Sequence, residues 1–115
     1  MISDLYKFHW GFGGLPRPNY PEKYLMVGYF LMDISTPVSC ESIIQNAEHL
    51  SEGEEIERLI GYNAGSLLIT KKLVVFETYG NDPGAETIEI TYEDFIDLLK
   101  SWQMFLNAGP TNDVP

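Results

Sequence analysis

The stretch SLLITKK (66–72), LVVFETY (73–79), ETIEITY (86–92) and EDFIDLLKSWQMFLN (93–107) reads as three strands and a closing helix. Ile88, Ile90 and Tyr92 alternate with Thr87, Glu89 and Thr91, the period of two that a strand with one wet face requires. From Thr91 the period changes. Phe95, Leu98, Leu99, Trp102, Phe105 and Leu106 recur at steps of three and four, so one stripe of a helix is apolar and can lie on the sheet's dry face. Thr91-Tyr92-Glu93-Asp94 marks the switch with a capping-box pattern that satisfies the first free backbone donors. Gly109-Pro110 ends the helix with a glycine and then a residue that cannot continue it.

Upstream, residues 4–10 alternate weakly, with Tyr6, Phe8 and Trp10 on one face, and predict a first strand. The segment GFGGLPRPNYP (11–21) holds three glycines and three prolines and is expected to be an irregular loop, unusually aromatic through Phe12 and Tyr20. Two roles are open for it: a cover whose rings fold back on the core, or a rigid contact loop. Residues 24–32 are apolar on both faces and read as a buried central strand, with a helix as the alternative. Ser35-Thr36-Pro37 supplies a cap and a first-turn proline for a helix through Val38, Ile43, Ile44, Ala47 and Leu50, ended by Gly53. A short helix over 54–60 follows, with Ile56, Leu59 and Ile60 on one face and Gly61 closing it, then a turn at 62–65. Lys71-Lys72 fits a tight hairpin poorly, whereas Asn81-Asp82-Pro83-Gly84 has good turn chemistry. The expected architecture is α+β: a mainly antiparallel sheet of about five strands, helices packed on one face, and the C-terminal helix closing the core.

With 115 residues, 44% of them hydrophobic, the chain has the length and composition of a single packed domain, its tail at 110–115 flexible. The net charge is −10, and it is unevenly placed: between Glu41 and Asp97 thirteen acids face only Arg58, Lys71 and Lys72, so that segment carries the whole of it. Such a domain repels nucleic acid and anionic membrane and attracts basic surfaces. Cys40 is the single cysteine, which excludes an internal disulfide and suits a reducing compartment. The start, Met1-Ile-Ser-Asp4, has no basic region leading into an apolar run, and the apolar run at 24–32 is far short of the ~20 residues a spanning helix needs. A cytoplasmic protein is expected.

Catalytic patterns are sparse. His9 and His49 are the only histidines. His49 and Glu52 would share a side of a helix, which could compose a weak metal site or an acid–base pair, but glutamates at a helix end beside a glycine are more often a solvated face. Cys40 has no neighbouring cation in sequence and reads as a small core residue. Gly11-Phe12-Gly13-Gly14 falls short of a phosphate loop, because the third glycine of G-x-G-x-x-G falls at Pro16, and Gly65-Ser66-Leu67 lacks the second half of a nucleophile elbow. No catalytic, cofactor or metal set is assigned, and an enzyme is not expected.

What remains is the acid. Glu52, Glu54, Glu55 and Glu57 fall in one short stretch, and Glu77, Asp82, Glu86 and Glu89 lie on or between strands that can pair, with Glu77 and Glu89 neighbours on the wet face. Solubility explains such a cluster, and so does a basic partner whose approach the field accelerates. A small, acidic, single-cysteine α+β chain that ends in a strand and Tyr92-x-x-Phe95-x-x-Leu98-x-x-x-Trp102-x-x-Phe105-Leu106 resembles the immunity proteins of bacterial polymorphic toxin systems, including those of contact-dependent growth inhibition. The resemblance implies a protein that binds the toxic C-terminal domain of a cognate protein, frequently a nuclease, and neutralises it in the cytoplasm. It implies no catalytic residues. The physical reading converges on it, with Glu52, Glu54, Glu55, Glu57, Glu77, Asp82, Glu86 and Glu89 as the attracting set and Trp10, Phe12 or Tyr79 as desolvated anchors. Two alternatives from other classes are a small enzyme using His9 or His49 and an adaptor domain that self-associates through a free strand edge.

Overall fold

The computed structural model of the chain describes residues 6–19, 24–61, 65–78 and 87–109, which form three α-helices and six strands in two antiparallel sheets. The α+β class is as expected, with six strands rather than about five. The larger sheet takes its strands in chain order: β3 (Ile56–Ile60), β4 (Gly65–Ile69), β5 (Leu73–Thr78) and β6 (Ile88–Thr91). Ile56 lies opposite Ile69, Ile69 opposite Val74, and Val74 opposite Ile90, while Leu67, Phe76 and Ile88 continue the same face one step along. That face is the dry one. Phe76 meets Phe30 of α1 (Leu25–Asp33) edge-on at 5.9 Å and lies 6.4 Å from Phe95 of α3 (Tyr92–Ala108), and Phe30 and Phe95 stack at 5.9 Å. The three rings fix α1 and α3 to one side of the sheet.

The third helix, α2 (Pro37–Glu48), packs on α3 through Cys40, Ile43, Ile44 and Ala47. A separate hairpin of β1 (Lys7–Trp10) and β2 (Pro16–Asn19) leans on the helices: Phe8 sits 5.0 Å from Trp102 and Trp10 stacks on Phe105 at 4.8 Å. Trp102, wholly buried, donates its indole N–H to the Ile34 carbonyl at 2.9 Å, joining α3 to the end of α1. Gly65 lets β4 and β5 approach α1, since a Cβ there would collide with the Glu77 carbonyl oxygen and Met26.

The caps follow the sequence. Thr36 Oγ1 and Ser39 satisfy each other's backbone at the start of α2. Thr91 Oγ1 accepts from Asp94 N at 3.1 Å, and Gly109 closes α3 at φ 67°. Thr91→Ala is expected to cost about 1 kcal/mol in urea denaturation through loss of that cap; an unchanged midpoint would refute its contribution.

Four expectations require correction. Residues 24–32 form the N-cap Tyr24 and helix α1, not a strand: an apolar run has no period to choose by, and leucine and methionine favour the helix, which buries Met26, Val27, Phe30 and Leu31 and leaves Tyr29 37% exposed. The helix expected over 54–60 is β3, in which Ile56, Arg58 and Ile60 turn inward while Glu57 and Leu59 turn out; pairing with β4 overrides a weak local helical pattern. The preceding helix stops at Glu48, capped by His49, and Gly53 (φ 86°) serves the loop beyond. The segment 11–21 is not irregular throughout. A 3₁₀ turn at Phe12–Gly14 leads into β2, where Pro16 and Pro18 point inward and Arg17 and Asn19 outward, a position prolines tolerate because β2 has only one neighbour. The join at Lys71-Lys72 does form a hairpin, because Thr70 Oγ1 accepts from the Lys72 and Leu73 amides and supplies the turn that glycine or asparagine otherwise would. The expected turns at 62–64 and 81–84 and the tail 110–115 lie outside the described residues.

Candidate functional site

With α1 and α3 on the Phe76 side, the opposite face of the four-stranded sheet carries the other half of each strand. Its side chains fall in rows set by register. Glu57, Leu68, Val75 and Glu89 form one row across all four strands; Leu59, Ser66 and Glu77 form the next; Leu73 and Thr91 stand beyond Val75 and Glu89. Leu59 is 59% exposed and Leu68, Leu73 and Val75 are partly exposed, Ser66 between them is buried, and Glu57, Glu77 and Glu89 are exposed. The result is a diagonal apolar stripe, Leu59–Leu68–Val75–Leu73, with carboxylates on both sides.

Glu77 and Glu89 are the neighbours the sequence suggested. Glu89 faces Val75, which makes Glu77 its diagonal neighbour on the same side. Glu57 joins them from the far edge. Glu52, Glu54 and Glu55 sit elsewhere, on the loop entering β3. They line a cleft of about 510 Å³ opposite Thr70, Lys71 and Lys72. Ser51 N donates to Glu54 Oε1 at 2.8 Å, and this bond holds the Glu54 carboxyl below its ordinary pKa. Lys71 is turned to the protein body: its ammonium donates to the Glu48 carbonyl at 2.9 Å and the Tyr92 hydroxyl at 3.1 Å, neutralising the negative end of α2. The loop acids thus share their neighbourhood with two lysines, whereas Glu57, Glu77 and Glu89 alternate with apolar groups. Asp82, Glu86 and Tyr79 lie outside the described residues.

The proposed aromatic anchors divide. Trp10 is half-buried against Phe105, as a ring folded back on the core would be. Phe12 lends its backbone to the 3₁₀ turn, and its side chain lies outside the description. The apolar centre of the outer face was missed in the sequence, although a signal existed: in Leu67-Leu68-Ile69 and Leu73-Val74-Val75-Phe76 consecutive residues are apolar, so both faces of β4 and β5 must be, unlike β6 with its strict alternation.

The candidate catalytic groups are dispersed. His9 is exposed on β1 opposite Arg17, and His49 is exposed at the end of α2 with Nδ1 2.7 Å from the Gln45 carbonyl. Neither lines the cleft beside 52–55. Among the described residues no group of three or more His, Cys, Asp or Glu could hold a metal ion, and no helix is long and apolar enough to cross a membrane.

Cys40 is wholly buried, donates to the Leu99 carbonyl at 3.3 Å, and is a core residue in position. Burial, with a smaller push from Glu41, raises its thiol to about 12 from an ordinary 9.0. Between those values the unfolded chain has lost the proton that the folded protein keeps. Stability therefore falls with rising pH across that window, by up to about 1.4 kcal/mol per unit, and is unaffected below it. Urea titrations between about pH 8 and pH 10 should show a steeper loss for the natural chain than for Cys40→Ala; parallel profiles would count against the burial effect. Comparison with known proteins found no matching family model, no similar curated protein and no similar solved structure.

Proposed function

We propose that the outer face of the four-stranded sheet binds a basic protein domain, and that the chain is an immunity protein that neutralises a cognate toxin, a nuclease by preference. The observation that carries the reading is the outer sheet face, on which no described helix packs: a partly exposed apolar stripe, with Leu59 59% exposed, flanked by Glu57, Glu77 and Glu89. Solubility alone explains surface acid. It does not explain an exposed leucine beside two further leucines and a valine left partly exposed among that acid, where the apolar area in water costs free energy that a partner would recover. An apolar centre with a charged rim is the usual anatomy of a protein interface.

The sign of the rim selects the partner. A nuclease is cationic where it grips phosphate, so a negative face is drawn to that site or to a surface beside it and keeps the substrate out. The loop acids Glu52, Glu54 and Glu55 extend the negative field but contribute less locally, since Lys71 and Lys72 stand across the cleft from them. A small enzyme working through His9 or His49 has weaker support, with His49 held against Gln45 at the end of α2.

The test is co-expression with a toxin domain encoded beside this chain in its native genome. The natural chain should restore growth and co-purify with the toxin domain, and a variant carrying Leu68→Thr and Glu89→Lys should lose both while retaining its thermal transition. Protection by that variant equal to the natural chain's would sink the assignment of the face; absence of protection by the natural chain would sink the immunity reading.

A further inference from the structure

The geometry points to a basic amphipathic helix as the element of the partner that docks on this face; the inference rests on the reading above and names what the face recognises. From Leu59 on β3 to Leu73 on β5 the apolar stripe crosses two strand spacings and runs four residues along, a diagonal of about 16 Å. A helix covers that length in about three turns. The stripe is one side chain wide, as is the i, i+3, i+4, i+7 ridge of an amphipathic helix.

The acids fit the same shape. Glu57 and Glu89 end the row that Leu68 and Val75 centre, and measured across the diagonal of the stripe they stand on opposite sides of its axis, about 4 Å and about 8 Å away. A helix with its side chains is about 10–12 Å across. Cations flanking its apolar ridge would arrive at both carboxylates together. A flat partner sheet would instead need apolar contact beyond the stripe, where this face offers Glu57 on one side and Glu77 and Glu89 on the other. A second copy of this chain brings like charge against like and is disfavoured.

The experiment uses an idealised leucine–lysine peptide of about four helical turns, with leucines at helical spacing, against a scrambled peptide of identical composition. Dye-labelled peptides are titrated with the full chain and followed by anisotropy, and amide cross-peaks are mapped on the labelled protein. The helical peptide should bind at least about tenfold more tightly than its scramble, perturb residues 57–59, 66–68, 73–77 and 87–89, and lose about tenfold in affinity with Val75→Thr or Leu59→Thr. Leu59→Thr is included because so exposed a site leaves folding intact. Equal binding of the scramble, perturbation centred elsewhere, indifference to both substitutions or no binding at all would each overturn the inference. Failure here and failure of the immunity reading separate cleanly. Protection by co-expression without peptide binding means a loop or strand meets the face, and peptide binding without protection keeps helix recognition and removes the toxin.

Discussion

Trp102→Ala is expected to remove about 3–5 kcal/mol of unfolding free energy, a large share of what a domain of this size possesses. The side chain is wholly buried where three parts of the chain meet: Phe8 of the hairpin packs edge-on at 5.0 Å, Phe105 stacks at 5.6 Å, and the indole donates to Ile34 at the end of α1. Deleting it opens a cavity and leaves a buried carbonyl without its donor, and the two losses are separable. Trp102→Phe retains most of the packing and gives up the hydrogen bond, so it should cost about 1–3 kcal/mol for the unsatisfied acceptor together with a small void. Urea unfolding measures both. A Trp102→Phe midpoint equal to the natural chain's would show that the Ile34 bond contributes nothing, and an alanine variant that lost less than about 1 kcal/mol would mean that the hairpin and helices are not joined through this ring.

Why this residue was legible, and others were not, follows from the physics of local pattern. Trp102 lies in a long helix whose apolar stripe repeats over four turns, flanked by a threonine cap and a glycine stop, so sequence spacing alone put it inside. The same holds for Thr36-Pro37 and α2. Where the pattern is short or uniform, tertiary contacts decide. Residues 24–32 are apolar in every direction, and nothing local distinguishes a buried strand from the largely buried helix at 25–33. Residues 56–60 carry a helical triad by chance, yet β4 offers them five backbone partners and they pair with it. The site divides in the same manner. The acids Glu57, Glu77 and Glu89 were visible as charge, and the alternation in β6 placed Glu89 outward. Their common face depended on β3 being a strand, which the local sequence did not suggest. Leu68 and Val75 were implied by the unbroken apolar runs of their strands: with Leu67, Ile69, Val74 and Phe76 on the dry face, they had to lie on the other, and only the register shows which acids flank them there.

The second large effect concerns where on the surface charge acts. Replacing Glu57, Glu77 and Glu89 together by lysine changes the formal net charge from −10 to −4, because each reversal adds two units. Replacing Glu48, Glu52 and Glu55 by lysine makes the same change elsewhere, at the end of α2 and in the loop facing Lys71 and Lys72. If the whole molecule's charge steers the partner, the two triple variants should associate alike. If the outer face is the docking surface, the first should lose about 10–100-fold in association rate at low salt and the second only a few-fold, because a field acts most strongly on an approaching cation at the point of contact. Raising the salt to about 1 M shrinks the screening length to about 3 Å, so the rates of all three proteins should then converge. Dissociation of the first variant should also quicken, since new lysines beside Leu68 and Val75 meet the partner's own cations. Stopped-flow association with the cognate basic domain reads both rates. Equal losses in the two triples would move the interaction away from the sheet and reduce it to global attraction, whereas a greater loss in the loop triple would transfer the docking surface to the cleft beside Gly53.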